Sequence, residues 1–126
     1  MEIDNAITWF EIPVVDFDRA AAFYSSIYDY EMIRSQVGPT LMGFLPYEQK
    51  EHRVGGAICQ GPDHTPAQTG TPPYLNGGAD LAVVLNRVGP AGGKILKPKT
   101  FLGEGIGYSA VIIDTVADPC AVRTRT

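Results

Sequence analysis

The segment Ile7–Tyr24, which reads ITWFEIPVVDFDRAAAFY, decides the fold because a strand pattern runs directly into a helix pattern. Apolar residues alternate with others over about residues 5–14, which predicts a strand with Trp9 and Glu11 on one face. Asp16 is well suited to cap a helix, and apolar residues recur at helical spacing after it. The segment therefore predicts one strand–helix unit.

A weaker copy of this unit follows in the second half of the chain. PYLN at residues 73–76 precedes DLAVVLNRV at residues 80–88. An offset of 64 places Asp16 on Asp80 and pairs apolar helix positions with apolar ones. A repeat of this length in so short a chain indicates two similar modules with a groove between them. We predict an α+β fold, in which two βαβββ modules form a curved mixed sheet around a central groove.

The length of 126 residues suits one domain that spans residues 1–126. Module one is expected at about 1–60, a linker rich in Gly, Pro and Thr at about 61–71, and module two at about 72–126. Gly89-Pro90 is expected to stop the second helix. The remaining strands are predicted at about residues 30–36, 41–47, 53–60, 94–99, 107–114 and 120–125.

The composition is that of an ordinary globular protein, with 44% hydrophobic and 19% charged residues. The net charge of −4 leads us to expect no nucleic-acid partner, because phosphate binding needs clustered cations. No apolar run approaches the roughly 20 residues that span a bilayer, and the acidic N-terminus lacks a signal-peptide pattern. We expect a cytoplasmic protein with no membrane partner, in which Cys59 and Cys120 stay reduced as small strand or core residues.

Motifs along nearly the whole chain resemble one family. They are WFEIPVVDFDRAAAFY at residues 9–24, GGAICQG at 55–61, YLNGGADL at 74–81, AGGKILKPKT at 91–100 and GYSAVIIDT at 107–115. They resemble the vicinal-oxygen-chelate superfamily, which includes glyoxalase I, bleomycin-resistance proteins and extradiol dioxygenases. The chain departs from the family pattern after the first helix, where Tyr28-Asp29-Tyr30 stands without the expected glycine, and before the last strand, where a turn glycine is missing.

The resemblance implies a divalent metal held by His and Glu on four strands. Here the four positions fall on Trp9, on Gly56 or Ala57, on Pro72 or Pro73, and on Ala121. None of these side chains binds a metal. The two histidines, His52 and His64, lie in predicted loops, where a histidine is usually solvated, and their spacing matches no chelating motif. We therefore predict no metal and no other cofactor.

The groove is predicted to be lined by aromatic and charged side chains from both modules. The candidate ligand-binding residues are Trp9, Glu11, Phe44, Tyr74, Asn76, Lys97, Lys99 and Tyr108. A carboxylate such as Glu11 is costly to bury without a partner, and a Glu11–Lys99 pair is the preferred one. We rate a structural ion pair above a catalytic role for Glu11. The aromatic residues have an equally plausible alternative as core or dimer-interface residues.

These residues favour a metal-independent small-molecule-binding protein of the glyoxalase/bleomycin-resistance type, which sequesters a cationic or aromatic compound. A first alternative is a lyase, isomerase or transferase that uses Glu11 as a general base in the same groove. A second alternative is a dimeric regulatory or interaction module. A homodimer is expected in each case, because so short a chain leaves much strand edge uncovered.

Overall fold

The computed structural model describes residues 1–48, 53–67, 71–114 and 119–124. The first module contains β1 (Trp9–Pro13), α1 (Phe17–Tyr28), β2 (Arg34–Val37), β3 (Thr40–Phe44) and β4 (Gly55–Gln60). The second contains β5 (Tyr74–Asn76), α2 (Leu81–Val88), β6 (Lys94–Gly103), β7 (Gly107–Ile113) and β8 (Pro119–Thr124). The order of elements is therefore the same in both modules.

Each module forms a four-stranded mixed sheet. The strand orders are β1-β4-β3-β2 and β5-β8-β7-β6. In both sheets the order is therefore first, fourth, third and second strand of the module. In each sheet the first strand pairs in parallel with the last, and the other pairs are antiparallel. The predicted α+β fold, with two βαβββ modules and a curved mixed sheet, is confirmed.

Both helices begin at equivalent aspartates. The Asp16 carboxylate accepts a hydrogen bond from the backbone N–H of Arg19 at 3.2 Å, and that of Asp80 accepts one from Ala82 at 3.0 Å. Each aspartate satisfies a backbone donor that has no partner within the helix. The offset of 64 predicted from the sequence is thus the spacing between the two helix starts.

The helix ends differ in which residue takes the left-handed conformation. After α1 it is Asp29, with φ of 50°, and after α2 it is Gly92, with φ of 97°. In both cases the next residue donates its N–H to a carbonyl of the last turn, to Ser25 at 3.1 Å and to Val88 at 2.9 Å. This is the Schellman arrangement, which favours glycine at the left-handed position. An aspartate tolerates that conformation, and this is how the first module turns without the expected glycine.

The two modules share one apolar core through their helices. The α1 and α2 helices pack against each other and against the sheets. The buried hydroxyl of Tyr24 in α1 donates a hydrogen bond at 2.9 Å to the buried carboxylate of Asp114, which follows β7. Tyr28 donates to the backbone carbonyl of Asn76 at 2.9 Å, and Arg87 donates to that of Ile27 at 3.2 Å. These bonds join the modules beside the groove.

Several strands differ from their predicted bounds. Strand β1 starts at Trp9 rather than near residue 5, β2 starts at Arg34 rather than near residue 30, and β3 ends at Phe44 rather than near residue 47. Strand β6 continues past Lys99 to Gly103. The pairing of β6 with β7 shifts register between Lys97 and Thr100. The segment 115–118 before β8 lies outside the described residues. Over the described ranges, no helix has the length and apolar character needed to cross a membrane.

Candidate functional site

A cavity of about 1010 Å³ lies between the two modules. The edge strands β1 and β5 border it through residues 9–11 and 74–76, and the loops at 45–47 and 71–73 extend its walls. The helices contribute Ile27, Tyr28, Val83, Val84 and Arg87. The cavity is thus built from both copies of the repeat. Its size is at the upper end of the range for small-molecule sites, which is roughly 300–1,000 Å³.

An aromatic cluster forms the side of the cavity that belongs to the first module. The ring of Trp9 meets Phe44 edge-on at 6.2 Å between centroids and Tyr47 at 5.9 Å. Tyr47 lies so close to Gly55 that a Cβ atom there would be 2.4 Å from the ring. The glycine therefore makes room for Tyr47, a residue that the sequence did not identify.

Glu11 is held by two neighbours on the same side of the first sheet. Its Oε1 atom accepts a hydrogen bond from His64 Nε2 at 2.8 Å, and its Oε2 atom accepts one from the Trp9 indole at 3.3 Å. The hydrogen bond from His64 is the main cause that lowers the pKa of Glu11. The Nδ1 atom of His64 is buried without a hydrogen-bond partner in the described part of the chain. Glu11 is therefore an oriented carboxylate at the edge of the cavity.

Cys59 lies beside this pair as a fully buried free thiol. Burial raises the pKa of Cys59 to about 12, and the negative charge of Glu11 adds to the effect. A thiol in this state is protonated near neutral pH and is a poor nucleophile. Acyl transfer or similar chemistry on the free thiol is therefore not supported.

The expected Glu11–Lys99 pair is wrong. The Lys99 ammonium pairs with Asp80 at 3.2 Å and lies 4.6 Å from the centre of the Tyr108 ring. The register shift in β6 after Lys97 explains the error, because a strict two-residue period would place both lysines on one face. Lys99 instead borders a second cavity of about 420 Å³ beside the start of α2.

The structure divides the predicted ligand-binding residues among three places. Trp9, Glu11, Tyr74 and Asn76 border the large cavity, and Phe44 supports Trp9 from behind. Lys99 and Tyr108 border the second cavity, and Lys97 is exposed on β6. The sequence missed His64 because it falls in the predicted linker. The signal in the sequence was Glu11 itself, because a carboxylate on a half-buried strand face needs a partner from another part of the chain.

The four positions that hold a metal in the resembled family do not fit one here. The Trp9 indole is a hydrogen-bond donor that bonds to Glu11, so it has no lone pair to offer. Gly56, Ala57 and the prolines at 72 and 73 carry no ligand atom in their side chains, and Ala121 has none by its chemistry. The other histidine, His52, lies outside the described residues. Chemistry on a metal at these four positions is therefore not supported.

No protein-family model matches the sequence, and neither does any curated protein. Several solved structures are similar in three dimensions. Glyoxalase I from Zea mays superposes with a TM-score of 0.67 and 16% identity over 94% of this chain, which spans only 44% of that protein's length. The antibiotic-binding protein TnmS3 from Streptomyces sp. CB03234 gives a TM-score of 0.68 and 16% identity, over 98% of this chain and 97% of TnmS3.

A glyoxalase/bleomycin resistance protein/dioxygenase domain from Frankia sp. EAN1pec gives a TM-score of 0.66 and 14% identity, over 94% of this chain and 96% of that domain. At such identities the likeness concerns the fold, and the activities of these proteins do not transfer with it. The similarity extends over both modules in all three proteins. The chain therefore has the fold of glyoxalase I and of the glyoxalase/bleomycin-resistance domains, which is the fold that the sequence motifs predict.

Proposed function

We propose that this protein binds a small organic molecule in the cavity between its modules and needs no metal to do so. The observation that carries this proposal is a cavity of about 1010 Å³ with aromatic side chains and two carboxylates, Glu11 and Asp80, at its border. Few polar groups on a mostly apolar wall are typical of small-molecule sites. Antibiotic binding by TnmS3, which has the same fold, supports sequestration as the mode of action.

The favoured ligand is a planar aromatic compound with a positive charge. Trp9 and Tyr74 approach the cavity from opposite modules, and an aromatic ligand between them gains stacking and cation–π contacts. Glu11 supplies a negative charge, because its pKa is lowered and the carboxylate stays ionised near neutral pH. The Asn76 side chain adds an amide that is able to donate or accept.

An enzyme that uses Glu11 as a general base has less support. A lowered pKa makes Glu11 a weaker base, and the hydrogen bonds from His64 and Trp9 already occupy both carboxylate oxygens. Lyase, isomerase or transferase chemistry would require those bonds to break first. Binding without reaction requires no such change.

We propose a homodimer as the working state, in the cytoplasm, where Cys59 stays a thiol. Strands β2 and β6 are the open edges of their sheets, and β6 exposes Leu96, Phe101 and Leu102. Exposed edges with apolar side chains favour pairing with another chain. Light scattering at micromolar concentration is expected to give twice the mass of the chain. A monomer over the whole accessible concentration range would contradict this assignment and the interaction-module alternative.

Calorimetric titration with a panel of planar cationic aromatic drugs, in the presence of EDTA, tests the binding function. We expect saturable binding of at least one compound, weakened about tenfold or more by Trp9→Ala and by Tyr74→Ala. Phe101→Ala is the matched control, because this exposed ring lies at the second cavity. Glu11→Gln is expected to weaken cations more than neutral analogues, whereas Glu31→Gln, at an exposed position, leaves both unchanged. Binding that is lost in EDTA would contradict metal independence.

A further inference from the structure

Three side chains of different chemistry converge beside Trp9 on the first sheet. Glu11 on β1, Cys59 on β4 and His64 after β4 each offer one ligand atom, and these atoms lie within 4.8 Å of one another. The register of the parallel pair, Glu11 opposite Ala57, brings the first two together. A turn closed by the hydrogen bond from the His64 N–H to the Gly61 carbonyl at 3.1 Å brings in the third.

We propose that Glu11, Cys59 and His64 form a binding site for a divalent transition metal, with Zn²⁺ as the reference ion. Thiolate, imidazole and carboxylate are the three ligand types that zinc takes in proteins, and hard ions such as Mg²⁺ and Ca²⁺ avoid the thiolate. Three protein ligands leave a fourth position for water or another small ligand. The site uses none of the four positions of the resembled family.

The distances are compatible with such a site after small side-chain movements. Ligands around a tetrahedral zinc at bond lengths of 2.0–2.3 Å lie roughly 3.3–3.6 Å apart. The Glu11–His64 contact of 2.8 Å would have to open slightly, and the widest separation in the cluster, at most 4.8 Å, would have to close. Both changes concern side-chain atoms, and side chains move between rotamers without displacement of the backbone.

The surroundings distinguish this cluster from a chance group of surface residues. Cys59 is fully buried, and the His64 side chain is only 19% exposed. The His64 Nδ1 atom is buried and has no hydrogen-bond partner among the described residues. Such a nitrogen lowers the stability of the fold unless a ligand occupies it. Two of the three ligands are on paired strands, so the site is positioned by backbone hydrogen bonds and not by a flexible loop alone.

This inference departs from the absence of a metal predicted from the sequence, because the fold places His64 beside Glu11 and the sequence did not. It is independent of the proposed function. Organic ligands are tested in EDTA, and the metal is tested without any organic ligand, so either proposal can fail alone. Because Glu11 belongs to both sites, a bound metal is expected to reduce the affinity for cationic ligands.

The test uses untagged protein, freed of metal and kept reduced, titrated with Zn²⁺ by calorimetry and with Co²⁺ by absorption. We expect one Zn²⁺ per chain and a near-ultraviolet thiolate-to-cobalt band. His64→Gln and Cys59→Ala should each weaken Zn²⁺ at least tenfold, and Cys59→Ala should abolish the band. His52→Gln and Cys120→Ala are the matched controls and should keep both signals. Thermal unfolding without metal checks that each variant is folded.

Several outcomes would overturn the site. They are the absence of stoichiometric Zn²⁺ binding, Zn²⁺ binding unchanged by His64→Gln, or loss of binding in His52→Gln or Cys120→Ala instead. If Cys59→Ala does not fold, Cys59→Ser and the partly exposed His64→Gln decide the question. A cobalt spectrum without the thiolate band would also refute the proposal, since it would remove Cys59 from the ligand set.

Discussion

The two modules have the same architecture, but their charged side chains form pairs at different places. Their strand orders match and their helices start 64 residues apart. In the first module a hydrogen bond joins Glu11 to His64 at the border of the cavity. In the second it joins Lys99 to Asp80 at the start of the helix. The repeat of apolar positions thus determines the fold, whereas residues that do not repeat determine the site.

The buried helix positions offer the sharpest contrast between the modules. Tyr24 and Val88 are equivalent under the offset of 64 and are both fully buried, but only Tyr24 also reaches across to Asp114. Tyr24→Ala is expected to lower the free energy of unfolding by about 3–5 kcal/mol, because it leaves a large cavity and removes a buried hydrogen bond. Val88→Ala should cost about 2 kcal/mol.

Urea unfolding of both variants at pH 7 measures this difference. Tyr24→Phe keeps the ring and loses the hydroxyl, so it should fall between the wild type and Tyr24→Ala. Equal losses for Tyr24→Ala and Val88→Ala would mean that the contact with Asp114 adds nothing to the joint core.

Sequence reasoning recovers what the repeat encodes. The helix at Phe17 and its copy at Leu81 follow from apolar spacing and an N-cap aspartate, which are local signals. Strand alternation is also local, and it predicts that Trp9 and Glu11 share the face that borders the cavity. The pairing of Glu11 was not predictable in this way. It depends on the turn after β4, which brings His64 to Glu11. It also depends on a register shift in β6, which the sequence pattern does not predict.

The helix ends differ by a smaller amount. Asp29 tolerates the left-handed backbone conformation after α1, whereas Gly92 adopts it after α2 without a steric penalty. Gly92→Ala is expected to cost about 1–2 kcal/mol, because a Cβ atom is disfavoured at its positive φ of 97°. Asp29→Gly should stabilise the protein by about 0.5–1 kcal/mol, since it relieves a positive φ and removes a negative charge from a helix C-terminus.

Thermal and urea unfolding of these two variants test the comparison. Gly89→Ala serves as the control, because Gly89 has an ordinary helical φ of −58° and a Cβ atom there meets no other residue beyond its chain neighbours. A loss of stability in Asp29→Gly would contradict the account of the first helix end, and a neutral Gly92→Ala would contradict that of the second.

The smallest expected effect concerns two polar contacts, Glu11 with His64 and Lys99 with Asp80. In EDTA at pH 7, a double-mutant cycle of Glu11→Gln and His64→Gln should give a coupling of about 0.5–1 kcal/mol. The value stays modest because 38% of the Glu11 side chain is exposed and solvent screens the pair. The cycle of Asp80→Asn and Lys99→Met should give a smaller coupling, since the more exposed partner of this pair, Asp80, has 56% of its side chain in solvent. A larger coupling in the second module would reverse the comparison.

The pH dependence of stability provides an independent check on the first pair. The pKa of Glu11 is lowered in the folded protein, chiefly by the hydrogen bond from His64, so its stabilising contribution is complete above the ordinary value of 4.5. That contribution is lost as the pH falls below 4.5 through the folded-state pKa. The stability advantage of the wild type over Glu11→Gln should therefore shrink on acidification. The same comparison made in the His64→Gln background should show a smaller dependence on pH, because the main cause of the lowered pKa of Glu11 is removed. An advantage that persists at pH 3 would mean that packing, and not the charge of Glu11, holds His64 against the sheet.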